Sequence, residues 1–173
     1  MIKKILIAAV TIDGKITKDI SETMHWTSKK DKEFFREQTK KAGVVIFGSK
    51  TYHAIGHPMP NRLNIIMTRA PQKYKKEHTP GLLEFTNQDP KSIIHHLENR
   101  GFTEVVIGGG SGVYTLFLKE KLIDEMYLTI APKIFGKGIP LFSDIEIDEI
   151  NAQLTEIAPL GKDEALLKYA LYY

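Results

Sequence analysis

Apolar residues in this chain gather into short, nearly continuous runs separated by polar stretches. The runs are "IKKILIAAV" (2–10), "GVVIFG" (43–48), "LNIIMT" (63–68), "LLEFT" (82–86), "EVVIGG" (104–109) and "EMYLTIAPKIF" (125–135), followed by "AQLTEIA" (152–158) and "ALLKYALYY" (165–173). Runs that scarcely alternate with polar residues fit strands covered on both faces. Between them the spacing lengthens to that of helices, predicted over 28–41, 50–55, 89–100 and 112–122. The third has Asp89 as a cap, Pro90 in its first turn and Gly101 as a terminator. Strand–helix alternation predicts a parallel-type sheet, and the last two runs, joined by a loop, predict an antiparallel hairpin at its edge. No Ser/Gly linker, repeat or low-complexity tract interrupts the pattern. The expectation is one α/β domain over residues 1–173.

Composition narrows the chemistry. Hydrophobic residues make up 42% of the 173 and charged residues 26%, ordinary values for a globular chain. Cysteine is absent, which removes disulfides, thiolate nucleophiles and cysteine zinc sites together and fits a reducing, cytoplasmic setting. The start "MIKKILIAAVTIDG" is charged and then apolar like a signal peptide, but its apolar core is only "ILIAAV" and no small-residue cleavage site follows. A first buried strand is the expectation. No apolar run reaches the roughly 18 to 20 residues of a membrane span. The net charge of +3 comes with scattered lysines, a mild attraction for anionic small molecules that does not point to nucleic acid. No metal site is expected.

Three stretches carry candidate chemistry. In "EVVIGGGSGVYTLFL" a strand runs into Gly108, Gly109 and Gly110 and a helix follows at once. Glycines allow a close backbone approach, and a helix N-terminus presents unpaired N–H groups to phosphate. The spacing is not the dinucleotide fingerprint G-x-G-x-x-G. "VVIFGSKTYHAIG" repeats the arrangement with Gly48, Ser49, Lys50 and Thr51, and it lacks the Gly-Lys pair of a P-loop. Two such turns predict a ligand with more than one phosphate. The third stretch is "MHWTSKKDKEFFREQT" (24–39), where Ser28-x-x-Asp31 reads as a capping box. Asp31 also shares a helical face with Phe35, Gln38 and Ala42, which would turn its carboxylate inward toward a partner.

Together these residues resemble dihydrofolate reductase, in the right order over most of the chain. The resemblance implies a three-layer fold, a central, mostly parallel eight-stranded sheet with a C-terminal antiparallel hairpin and about four flanking helices. It implies NADPH as cofactor, dihydrofolate as substrate and antifolates such as methotrexate as ligands. Trp26, Asp31 and Phe35 match a Trp, the acid that bonds the pterin and a Phe beside the substrate, and Thr129 in "YLT" matches the Thr that bonds the acid. "IGHPMPNR" (55–62) matches the segment ending in the Arg that holds the folate tail, here Arg62. By the same resemblance Ile55, Met59, Ile107 and Tyr114 line the substrate site, and Met24 lies in a loop over the nicotinamide. Ala9, Ile16, Gly48, Ser49, Lys50, Thr51, Gly108, Gly109, Gly110, Ser111, Gly112 and Val113 contact the cofactor.

Departures accompany the match. Ser49 stands where the family often has an Arg for the cofactor's 2′-phosphate, so Thr68 and Arg69 are expected to serve there. One extra residue, Ser111 or Gly112, follows the glycines, and the loop between Asp13 and Trp26 is long. "TIDGKIT" and "LIDEMYLTIAPKIFGKGIPLF" look more like the pyrimidine reductase of riboflavin biosynthesis, a cousin that does not typically carry an acid at the Asp31 position. A folate reductase, that pyrimidine reductase and a non-catalytic dinucleotide-binding module are the readings in play. Sequence does not choose between a monomer and a homodimer.

Overall fold

Strand β1 (Lys3–Thr11) is buried almost throughout and forms the middle of the molecule. The computed structural model describes residues 1–19, 26–143 and 146–173. After β1 come β2 (Lys15–Thr17), α1 (Lys29–Ala42), β3 (Val44–Gly48), α2 (Ser49–Ile55) and β4 (Leu63–Met67). A short 3₁₀ turn (Pro71–Tyr74) leads to β5 (Leu83–Thr86), α3 (Pro90–Asn99), β6 (Glu104–Gly109), α4 (Ser111–Lys119) and β7 (Glu125–Ala131). The chain ends with β8 (Ile139–Pro140), β9 (Asn151–Pro159) and β10 (Ala165–Tyr172).

The main sheet has eight strands in the order β5-β4-β3-β6-β1-β7-β10-β9. From β5 to β7 every neighbouring pair is parallel, while β10 runs antiparallel to both β7 and β9. The expected parallel sheet with a hairpin edge is therefore what forms. Side chains on β1 alternate between two cores, as the strand period requires. Ile5 and Ile7 join Val45, Phe47 and Val106 beneath Phe34 and Phe35 of α1 and Tyr52 of α2. Leu6 and Ala8 join Val44, Ile46, Val105 and Ile107 beneath α3 and α4.

Several boundaries differ from the sequence pattern. The apolar run 125–135 stops being strand at Ala131, and the small antiparallel ribbon β2–β8 was not anticipated. Strands of three and two residues are too short to show a period. Helix α4 ends at Lys119 because the chain turns back, with Lys121 at φ 56°. Helix α1 starts one residue later than the pattern, since Ser28 is its cap, and stops at left-handed Gly43, φ 74°.

Candidate active site

The parallel strands place their C-terminal ends along one edge, and β6 separates β3 from β1 there. Open α/β sheets bind ligands at such a change in strand order. The two glycine turns meet at this point, because Phe47 of β3 pairs with Gly109 of β6. A Cβ on Gly48 would lie 3.2 Å from Val113 Cγ2, and one on Gly110 would lie 3.0 Å from Thr51 Oγ1. Neither Gly48 nor Gly110 gives its helix a side-chain cap, so the first N–H groups of α2 and α4 lie side by side without one. A pyrophosphate-bearing cofactor fits this cradle of backbone. Ser111 is buried and its hydroxyl lies 3.2 Å from that of Ser143, while Gly112 is exposed with open space around it.

The glycine run also carries a bulge. The β3–β6 register shifts between Ile46 and Phe47, which leaves Gly108 as the unpaired position. A Cβ there would fall 2.5 Å from Phe47 Cε1 and 3.0 Å from Val45 Cγ2. The irregularity lies inside the glycine run, and α4 begins immediately at Ser111. Ile107 lies ahead of the bulge, in regular register with Leu6 and Ile46. It is fully buried in the core under α3 and α4, on the opposite sheet face from Phe35, and so offers no surface to a substrate.

Asp31 is 6% exposed and faces inward from the third position of α1. Thr129, which β7 sets beside Ala9 of β1 in register, lies near enough for its hydroxyl to act on the Asp31 carboxyl. Burial pushes the Asp31 carboxyl above its ordinary range, against the opposing pull of the Thr129 and Thr27 hydroxyls. Thr27 Oγ1 and the Trp26 indole N–H are buried without a well-aligned hydrogen-bond partner. The Thr27 hydroxyl is thus near enough to Asp31 to act electrostatically while remaining without a geometrically sound bond. The unpaired Thr27 hydroxyl near a buried carboxylate leaves hydrogen-bonding capacity for a ligand's polar edge. Tyr114 is buried too, its hydroxyl donating to Ile7 O at 2.8 Å. Burial first, and Asp31's charge second, push that phenol up beyond its normal range. Tyr114 therefore braces the main chain of β1 rather than presenting its hydroxyl to a substrate.

Phe35, Ile55 and Met59 pack together around the α1/α2 core, with Phe35 and Phe47 ring centroids 6.2 Å apart. Arg62 is 6% exposed and turned inward. Its Nε donates to Pro60 O at 3.0 Å, and Nη1 donates to Arg36 O at 2.9 Å and to the Thr39 hydroxyl. These bonds hold the 56–62 loop against α1. Lys50 and Arg69 are exposed at the ends of β3 and β4, whereas Thr68 is half-buried and its hydroxyl accepts from Ala70 N. Ile16 on β2 packs against the α3/α4 core. Met24 lies outside the described residues.

Two participants escaped the sequence pattern. Asp13 follows β1 and accepts from Thr11 Oγ1 at 2.6 Å, Phe135 N at 3.1 Å and Gly136 N at 2.8 Å, tying the loop after β1 to the loop after β7. Phe135 in turn meets Trp26 edge-on at 5.3 Å. Asp-Gly at 13–14 was the only cue. The second is Glu164, in the β9–β10 turn, which accepts from both the backbone N–H (3.1 Å) and the hydroxyl of Ser28. Among the described residues, no group of three or more His, Asp or Glu side chains is placed to hold a metal ion, and no helix is long and apolar enough to cross a membrane.

The family model "Dihydrofolate reductase" matches residues 3–163. The chain is 32% identical over 124 residues to the dihydrofolate reductase of Haemophilus influenzae, covering 72% of this chain and 69% of that one. In fold it is similar to a pyrimidine reductase-like protein from Corynebacterium diphtheriae (TM-score 0.82, 16% identity, 99% and 92% of the two chains). It is also similar to a dihydrofolate reductase from Enterococcus faecalis complexed with NADP(H) (TM-score 0.74, 22% identity, 98% and 96%). The mixed eight-stranded sheet with its hairpin edge and four helices is the fold of both.

Proposed function

Because this chain belongs to the dihydrofolate reductase family, we propose that it is an NADPH-dependent oxidoreductase that reduces 7,8-dihydrofolate to tetrahydrofolate. One observation carries the choice of substrate. It is the buried Asp31 carboxyl, near the Thr129 hydroxyl and the unpaired Thr27 hydroxyl. A pterin offers a matching edge of ring N–H and 2-amino groups, which a carboxylate binds at two points.

When bound, NADPH supplies the hydride that C6 of the substrate accepts, and N5 takes a proton. The uncapped starts of α2 and α4 would hold its pyrophosphate, with Gly48, Thr51, Gly109 and Gly110 leaving the room. Ser49 and Gly108 border that cradle. Arg69 and Lys50 are the cations at its rim for a 2′-phosphate. Ala9, beside Thr129, is a small flat floor for a planar ring. Asp31 fixes the pterin and, with its proton affinity raised, favours the protonated form of the bound pair. Phe35, Ile55 and Met59 offer apolar surface to the aminobenzoyl group. Burial first, and the nearby Arg36 charge second, depress Arg62's proton affinity, and the two cations offer attraction to an anionic tail. The setting proposed is the cytoplasm.

A second reading, the ribosylaminopyrimidine reductase, is favoured by the higher TM-score to the pyrimidine reductase-like protein. Antifolate affinity tests between them. A diaminopteridine gains a proton against a buried carboxylate, so Asp31→Asn should weaken its binding about a hundredfold or more, measured by calorimetry. Equal affinity for both proteins, or none for wild type, would favour the second reading.

A further inference from the structure

In a capping box the cap residue's hydroxyl takes the N–H of the third helical residue, and that residue's acid returns to the cap's own N–H. Only the first half is made locally here. Ser28 Oγ accepts from Asp31 N at 3.1 Å, but Ser28 N donates to Glu164, 3.1 Å away, from a turn at the far end of the chain. The same Glu164 carboxylate accepts from the Ser28 hydroxyl. We propose that Glu164 is a positioning residue for Asp31: it completes the α1 capping box in Asp31's stead, leaving Asp31's carboxylate turned into the site, and it holds a negative charge beside that carboxylate.

The sheet explains why Glu164 arrives there. Leu166 of β10 pairs with Thr129 of β7, the residue whose hydroxyl acts on Asp31. Glu164 lies two residues before Leu166, at the hairpin end that overhangs the first turn of α1. Leu160 N donates to Glu164 O at 2.9 Å and closes the turn. The hairpin thus delivers two bonds to Ser28 at the level where Thr129 reaches Asp31.

An acid at the third position of a helix with a serine cap would ordinarily turn back to the cap N–H, and that N–H is taken. Charged and titratable groups facing Asp31 are Glu164 from the hairpin, Lys32 on its own helix and Tyr114 from α4. Of these, Glu164 acts with burial to raise the carboxyl's proton affinity and Lys32 acts against it. Loss of Glu164 removes the like charge and frees the Ser28 N–H for Asp31, and both effects favour the ionised carboxyl.

The proposal rests on the reading of Asp31 as the substrate-binding acid, so the decisive measurement avoids turnover. Carbon-13 NMR of Asp-labelled protein, with the Asp31 signal assigned by its loss in Asp31→Asn, follows the carboxyl as pH is raised. In Glu164→Ala the Asp31 midpoint should move to lower pH. Glu164→Gln, which keeps an acceptor for Ser28 N but not the charge, should move it part of the way. The alkaline fall in dihydrofolate turnover should follow the same order. An Asp31 midpoint unmoved in both variants, with only a lower melting temperature, would make Glu164 a plain anchor for the hairpin and overturn the proposal. If Glu164→Ala does not fold, Glu164→Gln decides alone: a lower midpoint supports the proposal and an unmoved one ends it. If wild type proves inactive with dihydrofolate while the midpoints shift, the functional reading fails and the role of Glu164 stands.

Discussion

The hydroxyl of Thr129, on β7, draws the carboxyl of Asp31, in the first turn of α1, toward its ionised form against a burial that opposes it. Thr129→Val keeps the shape and removes the donor. The Asp31 carboxyl should then titrate higher still, so the alkaline decline of dihydrofolate turnover should move to higher pH. Thr129→Ser should leave the profile in place. A Thr129→Val profile superimposable on wild type would show that the pair does not control the reaction.

Asp31 should cost stability where it serves function. Its carboxyl is raised in the folded protein, so between the ordinary carboxylate range and that raised value the native state holds more protons than the unfolded one. Stability therefore falls as pH rises through that window and stays reduced above it. Asp31→Asn should melt higher than wild type at pH 7, by about 2–4 °C for each kcal/mol recovered, and the gain should vanish below about pH 4. Turnover should fall about a hundredfold or more. A lower melting temperature for Asp31→Asn at pH 7 would contradict the desolvation account.

The glycines from 108 to 112 divide into those the packing demands and one it does not. Gly108→Ala drives a Cβ to 2.5 Å from Phe47 Cε1, a core ring with nowhere to retreat. It should cost about 1–3 kcal/mol in urea unfolding, the range for overpacking. Gly112→Ala meets nothing within 4 Å inside a helix and should gain up to about 1 kcal/mol. Equal effects at both positions would remove the basis for reading Gly108 as a tight crossing.

Arg69 should carry cofactor choice, since Ser49 has no charge to offer. Arg69→Ala should raise the Michaelis constant for NADPH about tenfold, the scale of one charge-assisted bond, and leave NADH nearly unchanged. Steady-state kinetics with both cofactors checks this. An unaltered ratio would pass the role to Lys50.

The strands were legible because both sheet faces are covered, so their apolar runs are continuous, and the edge hairpin was legible from its position after the last helix. Asp31's inward face was visible in its spacing to Phe35. What stayed hidden depended on long-range placement. The strand period carries Ile107 regularly to one side, but nothing local says which side faces the site, and three consecutive glycines do not say which one bulges. Arg62 looked like a free cation because two of its acceptors, Arg36 O and Pro60 O, are main-chain carbonyls that no residue type announces. Glu164 looked like one more charge in a polar turn, since nothing local says that the turn lands on Ser28.

The central claim, that Asp31 serves a folate, is tested most directly by absorbance at 340 nm with purified protein and NADPH. Dihydrofolate and the ribosylaminopyrimidine phosphate of riboflavin synthesis are supplied in separate cuvettes. The account predicts NADPH consumption with dihydrofolate that a diaminopteridine stops and that Asp31→Asn lacks at neutral pH. Consumption with the pyrimidine and none with dihydrofolate would contradict it.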